Sequence, residues 1–253
     1  MADHPETTSS TATRVLGIAS LASIAVLVIY AFAVTGPDVR LGETVRIMYV
    51  HVPTVSIAYL FMLANAVCSV MFLVKRSSFF DVAAGASGEI GVVLLGLTLV
   101  TGMLWGRPTW GAYWVWDARL TTTALLFLMY VGYLTMRTLP GNPNVRAVRS
   151  AVVGIVSAAL IYPVHMSVEW WSSLHQGRTV FGRATKAAIA GDQETALYIG
   201  FLAFLLVASW LAVHRFRVGW LADRAAGVEI DAAVAARRAE HEPAVSSLGQ
   251  VKP

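Results

Sequence analysis

Three histidines and a run of tryptophans are the residues of this chain whose types and spacing could do chemistry. His51 sits in YVHVPTV, and His165 and His175 bracket the segment MSVEWWSSL. Earlier in the chain, LWGRPTWGAYWVWDARLT carries Trp105, Trp110, Trp114 and Trp116, four of the eight tryptophans, and Trp170 and Trp171 add two more. Imidazoles ligate metals. Zinc takes a closed set of N, O or S ligands and needs no tryptophan surface, and the chain has no HExxH. Haem iron takes axial histidines, and its macrocycle needs apolar or aromatic walls. Its propionates suit arginine forks, and Arg107, Arg119 and Arg178 lie near the tryptophans and the third histidine. Each of these histidines and arginines, taken alone, has an ordinary structural role as its alternative.

Tryptophan and tyrosine also gather at membrane interfaces as a belt. A belt accounts for one or two per span end. It does not account for four in twelve residues with two glycines, a proline and an aspartate close by. If residues 110–117 are helical, Trp110, Tyr113, Trp114 and Asp117 share a face and Trp116 points elsewhere. Such a face is a shelf for a large planar ligand. Asp117 has a second role open to it, as the N-cap of the helix that begins DARLTT.

The elements that must position these groups are membrane spans. Of 253 residues, 57% are hydrophobic and 13% charged, about half the charge of an ordinary soluble domain, and the mean hydropathy is +0.63. A single cysteine, Cys68, excludes a disulfide framework and a CxxC pair. Six segments are long and apolar enough to cross: residues 15–34, 48–74, 86–104, 118–138, 148–166 and 195–213. The expected fold is an all-α membrane protein with six transmembrane helices. Its parts are an N-terminal tail, 1–14, a six-helix domain, 15–213, and a C-terminal tail, 214–253, that forms a short surface helix or stays disordered. Lys and Arg near the span ends place both termini in the cytoplasm, so residues 35–47, 105–117 and 167–194 face outward, with short periplasmic tryptophan-rich segments. His51, His165 and His175 then share one side with six of the eight tryptophans. Glu89, the acid inside a span, is expected to form an interfacial ion pair near Lys75 and Arg76. Basic residues are scattered over short loops, which gives a nucleic-acid role no support, and there is no GxxxxGK[ST] phosphate loop.

The run WGRPTWGAYWVWDARLT resembles the tryptophan-rich "WWD" signature of haem-handling membrane proteins of cytochrome c biogenesis. YVHVP and SVEWWSSLHQG resemble the histidine segments of one branch, the cytochrome c maturation protein C family. The resemblance spans roughly residues 42–213. It implies a protein of the bacterial cytoplasmic membrane that holds haem b on the periplasmic side between two axial histidines. It implies as partners a periplasmic haem chaperone (cytochrome c maturation protein E), the ABC ATP-binding and permease subunits (A and B) and a small membrane subunit (D). Carried over by motif, the metal ligands are His51 and His175; the residues alone do not separate His175 from His165. Trp105, Gly106, Trp110, Gly111, Trp114, Trp116 and Asp117 match the platform, Tyr113 stands where a tryptophan is common, and Trp170 and Trp171 match the second segment. Arg119 and Arg178 are the candidates for the propionates. The implied role is presentation and transfer rather than catalysis. A haem exporter with a conduit through its spans, a lyase acting directly on apocytochrome c and a structural scaffold are the competing readings. The conduit is disfavoured because the spans hold few polar groups beyond Ser, Thr, Asn65 and Glu89.

Overall fold

A computed structural model describes residues 8–175 and 191–248, with side chains to 238. Among the described residues seven helices follow one another: α1 (Thr11–Ala33), α2 (Val45–Lys75), α3 (Ser78–Trp110), α4 (Ala118–Thr138), α5 (Pro143–Ala159), α6 (Ile161–Trp170) and α7 (Asp192–Leu248). In hydrocarbon the backbone must satisfy its own polar groups, which a helix does internally. Among the described residues, five stretches are long and apolar enough to cross a membrane: α1, α2, α3, α5 with α6, and the described part of α7. The expected fourth span is a helix with the expected bounds, but α4, with Arg119 and Arg137 near its two ends, is not among these five. Large apolar side chains such as Ile18, Phe32 and Val67 face outward.

Local chemistry sets the ends. Ser10 and Thr13 form a reciprocal capping box on α1. Asp117 caps α4, and Asn142 caps α5 with Pro143 in its first turn. Gly111, at φ +80°, closes α3 in the left-handed region that favours glycine. This corrects two expectations. Trp105–Trp110 belongs to α3 rather than to a loop, and residues 111–117 are not helical, so Trp110, Tyr113, Trp114 and Asp117 share no helix face.

The fifth span is likewise two helices and not one. Pro163 has no N–H to offer and its ring crowds the carbonyl four residues back. The chain tightens at Leu160, whose N–H donates to the Ser157 carbonyl at 3.1 Å. As a result α5 packs on α2 and α4, whereas α6 turns away to pack on α4.

The α2–α3 hairpin is the spine of the bundle. Thr98 donates to Thr54 across it at 3.1 Å, and Tyr130 of α4 donates to the Met62 carbonyl at 3.0 Å. Pro53 frees the Tyr49 carbonyl from its helical bond. Gly200 of α7 lies against that carbonyl, where any Cβ would collide. Asp81 and Arg137 form a bidentate pair at 2.7 and 3.0 Å that ties α3 to the end of α4. Glu89 pairs with Arg215 of α7, not with Lys75 or Arg76; α3 and α7 pack side by side, which brings residues 126 apart in sequence together. The segment from residue 214 to Leu248 continues α7 without a break, in place of a separate surface helix.

Candidate functional site

A cavity of about 410 Å³ lies among α2, α3, α4 and α6 and the turn that follows α6. Its walls are mostly apolar: Val52, Val55, Leu60 and Leu63 of α2, Leu99 and Met103 of α3, Leu120 of α4 and Val164 of α6. Set into them are His51, Tyr59, Arg119, His165 and His175. The structure therefore brings His51 of α2 and His175 of the turn after α6 to one cavity, with His165 of α6 beside them.

Each of these two rings is tied by the same nitrogen. His51 Nδ1 lies 3.0 Å from the Thr101 hydroxyl oxygen. Thr101 has one hydroxyl hydrogen, and it points to backbone carbonyls, Leu97 at 2.9 Å and Thr98 at 3.1 Å. The oxygen is thus left to accept from the ring, which puts the hydrogen on Nδ1 and leaves the Nε2 lone pair free. His175 Nδ1 lies 2.9 Å from Asp117 Oδ2. Asp117 is 7% exposed, and burial pushes its carboxyl up. The Leu174 N–H at 2.8 Å, the Ser173 hydroxyl at 3.0 Å, the Arg119 N–H at 3.0 Å and His175 more than offset this and hold it below 3.8. For His175, burial lowers the pKa below 6.5 against the pull of Asp117. At neutral pH the pair is a carboxylate and a neutral imidazole, and again Nε2 is the free nitrogen. The cap and the site role of Asp117 are one arrangement.

Aromatic packing fixes the ring planes. Trp105 meets His51 edge-on at 5.8 Å, and Trp110 meets His175 at 4.6 Å and 67°. Gly102 makes room for His51, since a Cβ there would stand 3.0 Å from Cε1. Gly102→Val is expected to push the imidazole off the Thr101 bond and to lower ligand affinity while the protein still folds. Equal affinity in the variant, measured by titration of the purified protein, would count against a positioned His51.

The aromatic platform divides. Trp105 and Trp114 line the cavity, and their indole N–H groups are buried without an acceptor among the described residues. Buried donors normally have partners, so both suit a ligand bearing oxygen acceptors. Trp110 supports His175 from outside the wall. Trp116 is 84% exposed and meets Trp114 at 5.7 Å, and Tyr113 lies under the Arg107 guanidinium at 5.9 Å. Trp170 and Trp171 are half exposed, pack on each other at 5.8 Å and do not reach the cavity. Gly106 and Gly111 shape the end of α3, Gly106 by letting Trp110 and the Ala112 carbonyl close over it. The Arg119 guanidinium borders the cavity and donates to the His165 carbonyl at 3.1 Å. Arg178 lies outside the described residues.

Sequence reasoning missed Thr101, Tyr59 and Ser173. The signal for Thr101 was present, because Thr98, Thr101, Gly102 and Trp105 repeat at helical spacing on one face of α3. No group of three or more His, Cys, Asp and Glu side chains among the described residues could hold a metal ion. Two matched imidazoles, apolar walls, indole edges and one guanidinium instead suit a planar, largely apolar metal macrocycle with anionic substituents.

Residues 2–230 match the family described as Heme exporter protein C. The chain is 33% identical over 229 residues to the Heme exporter protein C of Haemophilus influenzae, covering 88% of this chain and 93% of that protein. It is 40% identical over 169 residues to that of Bradyrhizobium diazoefficiens, 66% of this chain and 64% of the relative, and 31% identical over 202 residues to that of Escherichia coli, 80% and 81%.

Proposed function

The chain belongs to the Heme exporter protein C family, and from that premise we propose that it is a haem-binding membrane subunit of cytochrome c maturation. It holds haem b between His51 and His175 on the periplasmic face of the bacterial cytoplasmic membrane and hands it to a periplasmic haem chaperone. It does so in a complex with the ABC ATP-binding and permease subunits and a small membrane subunit. In this reading α4 also crosses, as the fourth of six spans, and both termini are cytoplasmic.

The observation that carries the reading is the matched pair of tethered imidazoles on one apolar cavity. Ligating histidines characteristically donate their other N–H to a carboxylate or another oxygen, which fixes the tautomer and raises ligand basicity. Thr101 and Asp117 do this for the two rings. Haem supplies the reactivity, and the chain supplies binding and orientation. Trp105 and Trp114 exclude water from the ring faces and offer N–H groups to its oxygens. Arg119 supplies a fixed positive charge for a propionate, and Arg178 is the second candidate. Asp117 fastens the segment that carries His175 through Ser173, Leu174 and the imidazole, and Trp110 packs on the same ring.

The test is the visible absorption of protein purified from haem-replete cells. A six-coordinate, low-spin b-type spectrum with two nitrogen ligands is expected. A colourless protein that takes up no added haem would remove the proposal.

A further inference from the structure

The cavity extends well past the two histidines. Val52, Val55, Ser56, Tyr59, Leu60 and Leu63 follow His51 along one face of α2, and all border it. Leu63 is twelve residues beyond His51, or about 18 Å along the axis at 1.5 Å per residue. Leu60 and Leu63 are each 50% exposed, lie on the same stripe of α2 as the outward-facing Val67, and also line the cavity. The cavity is thus open on the flank of the bundle, at a level well inside an apolar span, where the solvent is hydrocarbon. Among the described residues α6 packs chiefly on α4 and α5 rather than on α2, which leaves α2 less covered on this side. The other end of the cavity is tied down. There the Leu174 N–H, the Ser173 hydroxyl and the His175 ring all bond Asp117. At the flank, two flexible leucine side chains border the opening.

We infer that the gap beside Leu60 and Leu63 is a lateral portal, through which the porphyrin passes edge-on between the bilayer and the histidine pair. The inference rests on the haem-binding reading and adds a route to it. A porphyrin is an apolar disc with two anionic carboxylates and dissolves in lipid with those carboxylates at the interface. The cavity matches this order. Its deep part is lined by Leu60 and Leu63, and the charged Arg119 borders it together with His165. Passage through the flank keeps the ring in an apolar medium throughout and leaves the Asp117 anchor closed during loading.

The experiment plugs the flank without touching the ligands. Leu60→Cys, Leu63→Cys and Val67→Cys are made in a Cys68→Ala background, alkylated in detergent with cyclohexylmaleimide and returned to lipid nanodiscs. Val67 is 63% exposed one turn further along α2 and does not border the cavity. Leu63→Trp is the unlabelled counterpart. Each protein is mixed with phosphatidylcholine vesicles carrying dissolved haem, and the growth and final height of the bis-imidazole band are followed. The expected result is loading slowed by about tenfold or more for the alkylated 60 and 63 variants and for Leu63→Trp. Release of haem loaded before alkylation is slowed by a like factor, where a merely weakened site would release it faster, and the alkylated 67 variant loads as fast as unlabelled protein. Equal rates in all variants with full final bands would overturn the portal and leave the histidine site standing. If no variant, including the unlabelled parent, developed the band, the haem-binding reading would fail and the portal with it.

Discussion

Protein carrying both His51→Ala and His175→Ala is expected to reach the membrane at the parent level and to purify without haem absorption. The two rings line a cavity and belong to neither buried apolar cluster, so their removal leaves the packing of α2, α3 and α4 in place. What is lost is the pair of Nε2 lone pairs. The single variants separate the roles. With one imidazole left, iron keeps one nitrogen ligand, so haem stays partly bound and the spectrum moves from low-spin to high-spin. Added free imidazole is expected to restore the low-spin form in the single variants, because it can fill the vacated space. Retention of haem by the double variant in the parent amount, with the parent band positions, would show that other groups hold the iron.

Asp117 gives the second large effect, and two substitutions separate its duties. Asp117→Ala removes the cap of α4, worth about 0.5–2 kcal/mol, and frees the Ser173–His175 segment at the same time. Asp117→Asn keeps a good cap, since asparagine and aspartate are near equals at that position. It nevertheless presents one oxygen and an NH₂ group to four donors: the Arg119 and Leu174 N–H groups, the Ser173 hydroxyl and His175 Nδ1. At least one donor is left facing another donor. The affinity for haem is expected to fall roughly 10–100-fold, the usual effect of removing the partner of a ligating histidine, with a smaller loss of thermal stability than in Asp117→Ala, because the cap remains. Asp117→Ala should lose both affinity and stability. The pH dependence has a definite sign. A carboxyl held below 3.8 in the fold contributes stability that is present above the unfolded value and disappears as pH falls through the folded one. The parent therefore loses this anchor only on strong acidification, and Asp117→Asn shows no such step. Parent affinity in Asp117→Asn would mean that the carboxylate serves the helix alone.

The positions of the apolar stretches were legible in the sequence because a span is a property of local composition. Residues 118–138 form a helix with the expected bounds, which Asp117 of DARLTT caps, although α4 is not among the stretches apolar enough to cross. The expected shelf at 110–117 failed for an equally local reason, since Gly111 ends α3 in a conformation that starts no new helix. The broken fifth span was signalled by Pro163. The pairing of His51 with His175 was different in kind. It came from likeness to a family, and the residues by themselves left His165 an equal candidate. Contacts that depend on how helices lie against one another were not legible. Thr101 meets His51 across 50 positions, and Glu89 meets Arg215 across 126. Neither spacing carries a signal until the α2–α3 and α3–α7 contacts are known. Cavity depth is of this kind too.

The uneven distribution of indoles gives the molecule its own optical gauge. Trp105 and Trp114 form part of the cavity wall, whereas Trp210 lies beside His214 and Trp220 stacks on Phe216 far along α7. Indole emission overlaps porphyrin absorption, and the resulting quenching falls steeply with separation. Filling the cavity dims Trp105 and Trp114 most strongly, so occupancy can be followed in real time without attaching a dye.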